Sequence, residues 1–390
     1  MPTLVYSPAL ASYRFRPSHP INPRRLELTV DLIRHLGLAG GDGFPIVEPR
    51  VATDAEIALA HSPAYIAAVR ELSAVGADPA RGAPWGLGTE DTPLVPGMHD
   101  IAAHVVGATL TAARIVMEGR DTRAFTPAGG LHHAHVARAS GFCVYNDLAV
   151  AIRWMRRHHG ARVMYIDYDA HHGDGVQAIF YDDPEVLTVS LHESGVYLFP
   201  ATGFVEEIGE GDGTGYSVNV PFEAHTEDES FLAAFETLVP ELAEAFRPDV
   251  IVLQNGCDAH VLDPLAHLRA TTGLFEQLVQ ITCEVADDHC GGRIVATGGG
   301  GYAAHTVVPR AWTLVWAALS GQEVPDAVPE DWRAMVRDTD RVEVPPWMRD
   351  PPDAYPPFAR RQEVSATNEK TVRAVRARVM PLITGWGLAF

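Results

Sequence analysis

Residues 162–175 read RVMYIDYDAHHGDG. A short apolar run, 162–168, leads at once into acids, histidines and glycines. That is the pattern of a buried strand whose carboxyl end enters a polar loop. The same design recurs along the chain. VIVL at 250–253 precedes QNGCDAH at 254–260, and RIVA at 293–296 precedes the glycine run 298–301. VLTVSL at 186–191 and the run 218–220 are further strands, as is 3–6 near the start. Helical patterns lie between them, at 24–36, 54–72 with a bend at Pro63, 98–118, 148–158, 228–246, 268–286 and 311–319. Short apolar strands alternating with helices predict an α/β fold with a mostly parallel central sheet flanked by helices. Ligands of such sheets bind beyond the carboxyl ends of the strands.

The remaining stretches read as connections. PSHPINP at 17–23 is a loop, because three prolines restrict the backbone and remove donors. Residues 76–97, rich in Gly and Pro, form a linker or a functional loop that carries Trp85, Glu90 and Asp91. Residues 320–365 wrap the surface, and 366–381 form a peripheral helix. No internal repeat and no break before about residue 320 divides the chain.

The chain has 390 residues with 50 acidic and 30 basic side chains, a net charge of −20. Lys370 is its single lysine. A 47% apolar content argues against disorder, and the charge argues against binding duplex nucleic acid. Four scattered cysteines fit a reducing compartment rather than a disulfide scaffold. There is no signal-like leader and no uncharged apolar run of membrane length. The expectation is a cytoplasmic protein with no nucleic-acid or membrane partner.

The polar clusters carry the chemistry. Asp169 and His171 are two apart on an extended segment and face one side. With Asp258 from another strand end they make an O/N/O set for a metal with an open position, the form of a catalytic zinc site. Taken alone, the D-x-H reads as turn residues at a strand end. The tandem His132-His133 suits acid–base work, with Asp167 and Asp174 as free carboxylates to orient the rings. Alone, the pair reads equally as packed loop histidines. The glycine run 298–301 lacks the spacing of a phosphate loop, and places Tyr302 over a pocket, where its hydroxyl is suited to an oxyanion. Cys143 and Cys257 read as structural, since neither belongs to a C-x-x-C pair. His158-His159 reads as a solvated face, and no role is assigned to His61, His99 or His104.

Taken together, the segments resemble the zinc-dependent histone deacetylase superfamily, and within it the bacterial acetoin utilization deacetylases. The matching segments are HP at 19–20, TEDTP at 89–93, GGLHHA at 129–134, SGFCVYND at 140–147 and IDYDAHHGDGVQAIFY at 166–181. They continue through TVSLH at 188–192, YSVNVP at 216–221, LQNGCDAHVLDPLAHL at 253–268 and GGGGY at 298–302. The match runs from about residue 3 to 320 in order and spacing.

The resemblance implies the three-layer arginase/deacetylase-type fold, with a catalytic domain at 1–320 and an extension at 321–390 packed on the same domain. It implies zinc held by Asp169, His171 and Asp258, with iron as the other metal this set accepts. His133 becomes the general base and later proton donor, and His132 the group orienting the water. Asp167 and Asp174 become their partners, and Tyr302 the oxyanion donor. Substrate contacts fall on the rim residue Asp91, the aromatic walls Phe142 and Phe199, Leu265 and Gly300. Arg25 matches an internal arginine near an acetate exit. A potassium ion matches Asp167, Asp169, His171, Ser190 and Leu191, held mainly by carbonyls. A second monovalent site matches Phe180, Asp183, Val186 and Tyr216.

The implied reaction is hydrolysis of Nε-acetyl-lysine in proteins to lysine and acetate, with acetyl-CoA synthetase as the substrate the family suggests. The alternative is a small acetylated amine such as an acetylpolyamine, which the net charge of −20 favours. Two further readings are a two-manganese ureohydrolase and a binding module without turnover. The GGLHHA segment, the single Asp258 and Tyr302 weigh against the first, and the full catalytic set against the second. Asn255, Cys257 and His260 depart from the eukaryotic pattern and leave the pocket floor and rim open to change.

Overall fold

The computed structural model describes residues 2–384, apart from Pro17 and Asp42. The expected loop at 17–23 is turn, bend and irregular chain from Ser18 to Pro23, Pro17 lying outside the described residues. Eight strands form one sheet: β1 (Thr3–Val5), β2 (Ile46–Val47), β3 (Arg123–Thr126), β4 (Val163–Asp167), β5 (Val186–Glu193), β6 (Ser217–Phe222), β7 (Val250–Gln254) and β8 (Ile294–Thr297). Their order is β2-β1-β3-β8-β7-β4-β5-β6, and every pairing among these strands is parallel. All residues of β4, β5, β7 and β8 are buried. Near-continuous apolar strands follow from a sheet covered on both faces.

The helices are α1 (Arg24–His35), α2 (Asp54–Ile57), α3 (Pro63–Leu72), α4 (Met98–Met117), α5 (Asp147–His159), α6 (Asp174–Phe180), α7 (Asp228–Phe246), α8 (Thr272–Cys290), α9 (Val308–Ser320), α10 (Glu330–Asp340) and α11 (Arg361–Ile383). One group packs in series as α1, α9, α8, α7 and α11, and a second as α3, α4, α5 and α6. With the sheet they give the three-layer architecture. Helix α4 is the one helix among the described residues long and apolar enough to cross a membrane, and most of it is buried inside the fold.

Several expected boundaries move, each for a local reason. The helix expected over 54–72 is two helices. Thr53 and Glu56 close a capping box on α2, and Pro63 occupies the first turn of α3 behind the Ser62 cap rather than bending a continuous helix. The helix expected at 268–286 begins at Thr272 and runs to Cys290, where Gly291 at φ +63° ends it. The loop 76–97 contains a short 3-10 segment at Pro79–Trp85. Strands β2 and β3 and helix α6 were not expected. Each is short, and β3 is recognisable only through its pairing with β1 and β8.

Residues 321–384 do more than wrap the surface, since 330–340 is the helix α10. Val372, Val375 and Val379 of α11 are buried where α11 packs on α7 and β6. Asn368 Nδ2 donates to Thr226 Oγ1 (2.8 Å) and Ser230 Oγ (2.9 Å). The Asp350 side chain is fully buried and saturated. Its Oδ1 accepts from Arg310 Nη1 (2.8 Å) and Trp347 Nε1 (3.0 Å). Its Oδ2 accepts from His260 Nε2 (2.9 Å) and from Thr272 N and Oγ1 (both 2.9 Å). The Arg310 and Asp350 side chains are both 0% exposed. Removing one member leaves an uncompensated buried charge, whereas replacing both by apolar groups does not. Asp350→Ala should therefore lose about 3–5 kcal/mol of unfolding free energy. The double variant Arg310→Met/Asp350→Leu should lose less, with both read by urea unfolding.

Candidate active site

Four strands end at one level, beside a fifth, β5, that runs on to Glu193. Thr126 pairs with Thr297, Thr297 with Gln254, Gln254 with Asp167, and Asp167 with Ser190. The loops that follow β3, β8, β7 and β4 therefore leave a common edge and converge above it. They are the segments that carry His132-His133, Tyr302, Asp258 and Asp169–His171.

Asp169, His171 and Asp258 are all buried, and one ligand atom from each lies within 4.8 Å of the others. Each carboxylate is held by donors from neighbouring segments, and Asp169 Oδ1 also accepts from His171 N (3.0 Å). Asp169 Oδ2 accepts from Gln254 Nε2 (2.8 Å) and Gly300 N (2.7 Å), and Asp258 Oδ1 accepts from Ala170 N (2.8 Å). The other oxygens face His171 Nδ1, at 3.2 Å for Asp169 Oδ1 and 2.9 Å for Asp258 Oδ2. Burial, then the neighbouring charge of Asp169, pushes the Asp258 carboxyl up to about 6. Two carboxylates brought together in a dry site with an imidazole fit a divalent cation, which offsets the repulsion between them. Gly300 is part of the same packing, since a Cβ there would lie 2.0 Å from Asp258 Oδ2.

The tandem histidines stand beside this centre. His132 Nδ1 is 2.8 Å from Asp167 Oδ2, and His133 Nδ1 is 2.7 Å from Asp174 Oδ1. Each ring thus has one carboxylate of the 167–174 segment beside its Nδ1. The two Nε2 atoms face each other at 3.0 Å. Burial lowers both imidazoles, but the charges of Asp167 and Asp169 override it at His132 and raise it to about 9. At His133, burial and the neighbouring His132 charge prevail and lower it to about 4. Asp167 also accepts from Tyr165 OH (2.5 Å) and Asp169 N (3.1 Å).

A cleft of about 230 Å³ leads to these groups, lined by Asp91, His133, Gly141, Phe142, His171, Leu198, Phe199, Leu265 and Tyr302. Four of the five expected substrate contacts, Asp91, Phe142, Phe199 and Leu265, thus share one cavity. Phe142 holds φ +70°, a conformation costly for a bulky residue. Gly141 precedes it at φ +49°, and a Cβ there would lie 2.3 Å from the His133 ring. Tyr13 OH donates to Phe142 O (2.7 Å) and helps hold the turn. Arg25 Nη1 donates to Gly301 O (2.8 Å), and its guanidinium lies 5.1 Å from the Trp312 ring centroid.

Fold, buried donor set and carboxylate-oriented imidazoles suit a class of protein, the metal-dependent hydrolases on an α/β scaffold. The comparisons narrow it. Residues 19–319 match the model of the histone deacetylase domain. The chain is 48% identical over 369 residues to the acetoin utilization protein AcuC of Bacillus subtilis, covering 94% of this chain and 95% of that one. It is 39% identical over 372 residues to the protein of that name from Staphylococcus xylosus, covering 95% and 96%. The crystal structure of a deacetylase homologue from Aquifex aeolicus superposes with a TM-score of 0.85 at 34% identity, over 95% of this chain and 99% of that one. The chain belongs to the histone deacetylase family, and it is a hydrolase of acetyl amides.

Some supporting residues carried no assignment in the sequence. Gln254 ends β7 and steers Asp169; its place at the head of QNGCDAH was the available signal. Asn146 caps α5 through Ala149 N (2.9 Å), and its Nδ2 donates to His132 O (3.2 Å) and Ala134 O (3.0 Å). His61, in the turn between α2 and α3 rather than in a helix, accepts from Asn146 N at Nε2 (2.9 Å). No local pattern marks it. His19 Nδ1 accepts from Ile21 N (3.1 Å), so Nε2 donates to Asp91 O (3.0 Å) and tethers the rim. Cys143 and Cys257 are buried and free, and burial raises both thiols. His158 and His159 are exposed at the end of α5.

His61 titrates against folding. Burial is the largest cause holding it down to about 4, with the charge of His135 adding to it and two main-chain hydrogen bonds opposing. Its folded value lies below the unfolded one of about 6.5, so its stabilising contribution is intact above that value. The contribution is lost as pH falls toward 4, because the unfolded chain takes up the proton first. Between pH 7 and pH 5, the wild type should lose about 2 kcal/mol more unfolding free energy than His61→Gln. Urea titrations at the two pH values measure the difference.

Proposed function

We propose that this chain hydrolyses the acetamide of Nε-acetyl-lysine in proteins, releasing lysine and acetate. The observation that carries this reading is the cleft. Phe142, Phe199 and Leu265 make an apolar passage for a methylene stem, and its inner end presents His133, His171 and Tyr302 to an amide at the tip. Asp91 is exposed at the rim, where its carboxylate is suited to accept from a substrate backbone N–H.

Zinc, or iron, held by Asp169, His171 and Asp258 would polarise the acetyl carbonyl and acidify a water. The other steps belong to this chain's own side chains. His132, oriented by Asp167, positions the water. His133 takes the water proton at Nε2 while Asp174 holds its Nδ1–H. Tyr302 donates its hydroxyl to the oxygen that gains negative charge. His133 then returns the proton to the departing amine nitrogen, so that amide and water become amine and acetic acid. A potassium ion at the carbonyls of Asp167, Asp169, His171, Ser190 and Leu191 would stiffen the chain where β4 ends beside β5. The pairing of Asp167 with Ser190 supports that site by putting the two segments side by side. The second site, at Phe180, Asp183, Val186 and Tyr216, is supported by the short turn that joins the first three residues. The extension after residue 320 acts as part of the catalytic unit, and four free buried thiols suit a reducing cytoplasm.

Tyr302→Phe should retain the fold and lose about 10²–10³-fold in kcat, the usual cost of one oxyanion donor. His133→Ala should lose at least about 10²-fold, since both proton transfers pass through it. Substrate class is read from kcat/KM on one metal-loaded sample, for acetyl-lysine peptides, acetylated acetyl-CoA synthetase and acetylpolyamines. The proposal expects the lysine substrates to be preferred. Preference for acetylpolyamines would replace it with the small-amine reading.

A further inference from the structure

Tyr302 and Leu265 sit on different loops, after β8 and β7, yet both line the cleft. One side chain joins them. Asp263 is 7% exposed. Its Oδ2 accepts from Tyr302 N at 2.7 Å and its Oδ1 from Leu265 N at 3.0 Å. Asp263 is itself anchored, because its own N–H donates to His260 O at 2.8 Å. From the other side, Arg25 holds Gly301 O and Cys257 N donates to Gly300 O (2.8 Å). The glycine run is flexible by composition, so its shape here comes from these tethers. Asp263 is the only one of them bonded directly to the main chain of Tyr302 among the hydrogen bonds found for the described residues.

We infer that Asp263 is a positioning residue of the reaction: its carboxylate sets the Tyr302 hydroxyl and the Leu265 wall at the spacing the acyl group requires. The inference rests on the role proposed for Tyr302. A carboxylate is needed because both partners are N–H donors, and only a group with two acceptor oxygens serves both. Asparagine keeps the volume and loses one acceptor, leaving one N–H without its partner.

The test is a double-mutant cycle of Asp263→Asn and Tyr302→Phe, with kcat and KM measured on the metal-loaded full chain. Asp263→Asn should lower kcat by ~10–100-fold, the scale of a misplaced catalytic group, and raise KM through Leu265. In the Tyr302→Phe background the same change should lower kcat by less than about threefold, because coupled residues are not additive. Equal losses in both backgrounds would overturn the inference while leaving the role of Tyr302 intact. A Tyr302→Phe chain of undiminished kcat would instead remove the reading on which the inference rests. Hydrogen exchange of the Tyr302 amide in the wild type supplies a second measurement that does not depend on a variant folding. Protection supports the bond to Asp263, and exchange at the rate of an open loop overturns it.

Discussion

The structure depends on holding several carboxylates together in a dry interior. Asp167, Asp169 and Asp258 are each 0–1% exposed and lie at or just beyond the ends of the neighbouring strands β4 and β7. An unpaired buried carboxylate costs several kcal/mol. Hydrogen bonds to a charged group return about 1.5–3 kcal/mol each. Main-chain N–H groups at the ends of β4 and β8 supply part of that compensation, through Asp169, Ala170 and Gly300. Imidazoles supply the next part, and a divalent cation is the natural remainder.

That constraint reaches outward. The N–H of Gly300 can approach Asp169 only where no side chain intervenes, which accounts for a glycine between the two carboxylates. The four strand ends must stay level for the loops to converge, and the unbroken parallel pairing from β3 through β8 and β7 to β4 keeps them so. The substrate passage is secured separately. Tyr13 and His19 hold the Phe142 turn and the Asp91 rim, so the walls and the centre are tied to different parts of the fold. The chemistry proposed at the centre needs both, because a polarised carbonyl is useful only when the acyl stem is aimed at it.

Much of this was readable from residue order. Strands such as 250–254 begin as short apolar runs that lead into polar clusters, and the clusters fall where the strands end. Asp167 and Asp174 stood out as carboxylates available to the tandem histidines, and the family resemblance alone paired them in order, an order that matches the contacts of His132 with Asp167 and of His133 with Asp174. The parts that escaped notice lack a local signal. RAFT at 123–126 is a strand only because β1 and β8 flank it. Pro63 looks like a bend until Ser62 is seen capping a new helix. His61 and His260 act through partners 85 and 90 residues away, and Asp350 gathers donors from three separate segments. Long-range satisfaction of buried polar groups leaves no periodicity to read.

The central claim is that Asp169, His171 and Asp258 hold one divalent metal. Elemental analysis of the purified chain, beside Asp258→Ala, tests it most directly. The account predicts close to one zinc or iron per wild-type chain and a near-complete loss in the variant whose fold is retained. Full metal content in Asp258→Ala, or two tightly held metals per wild-type chain, would contradict it.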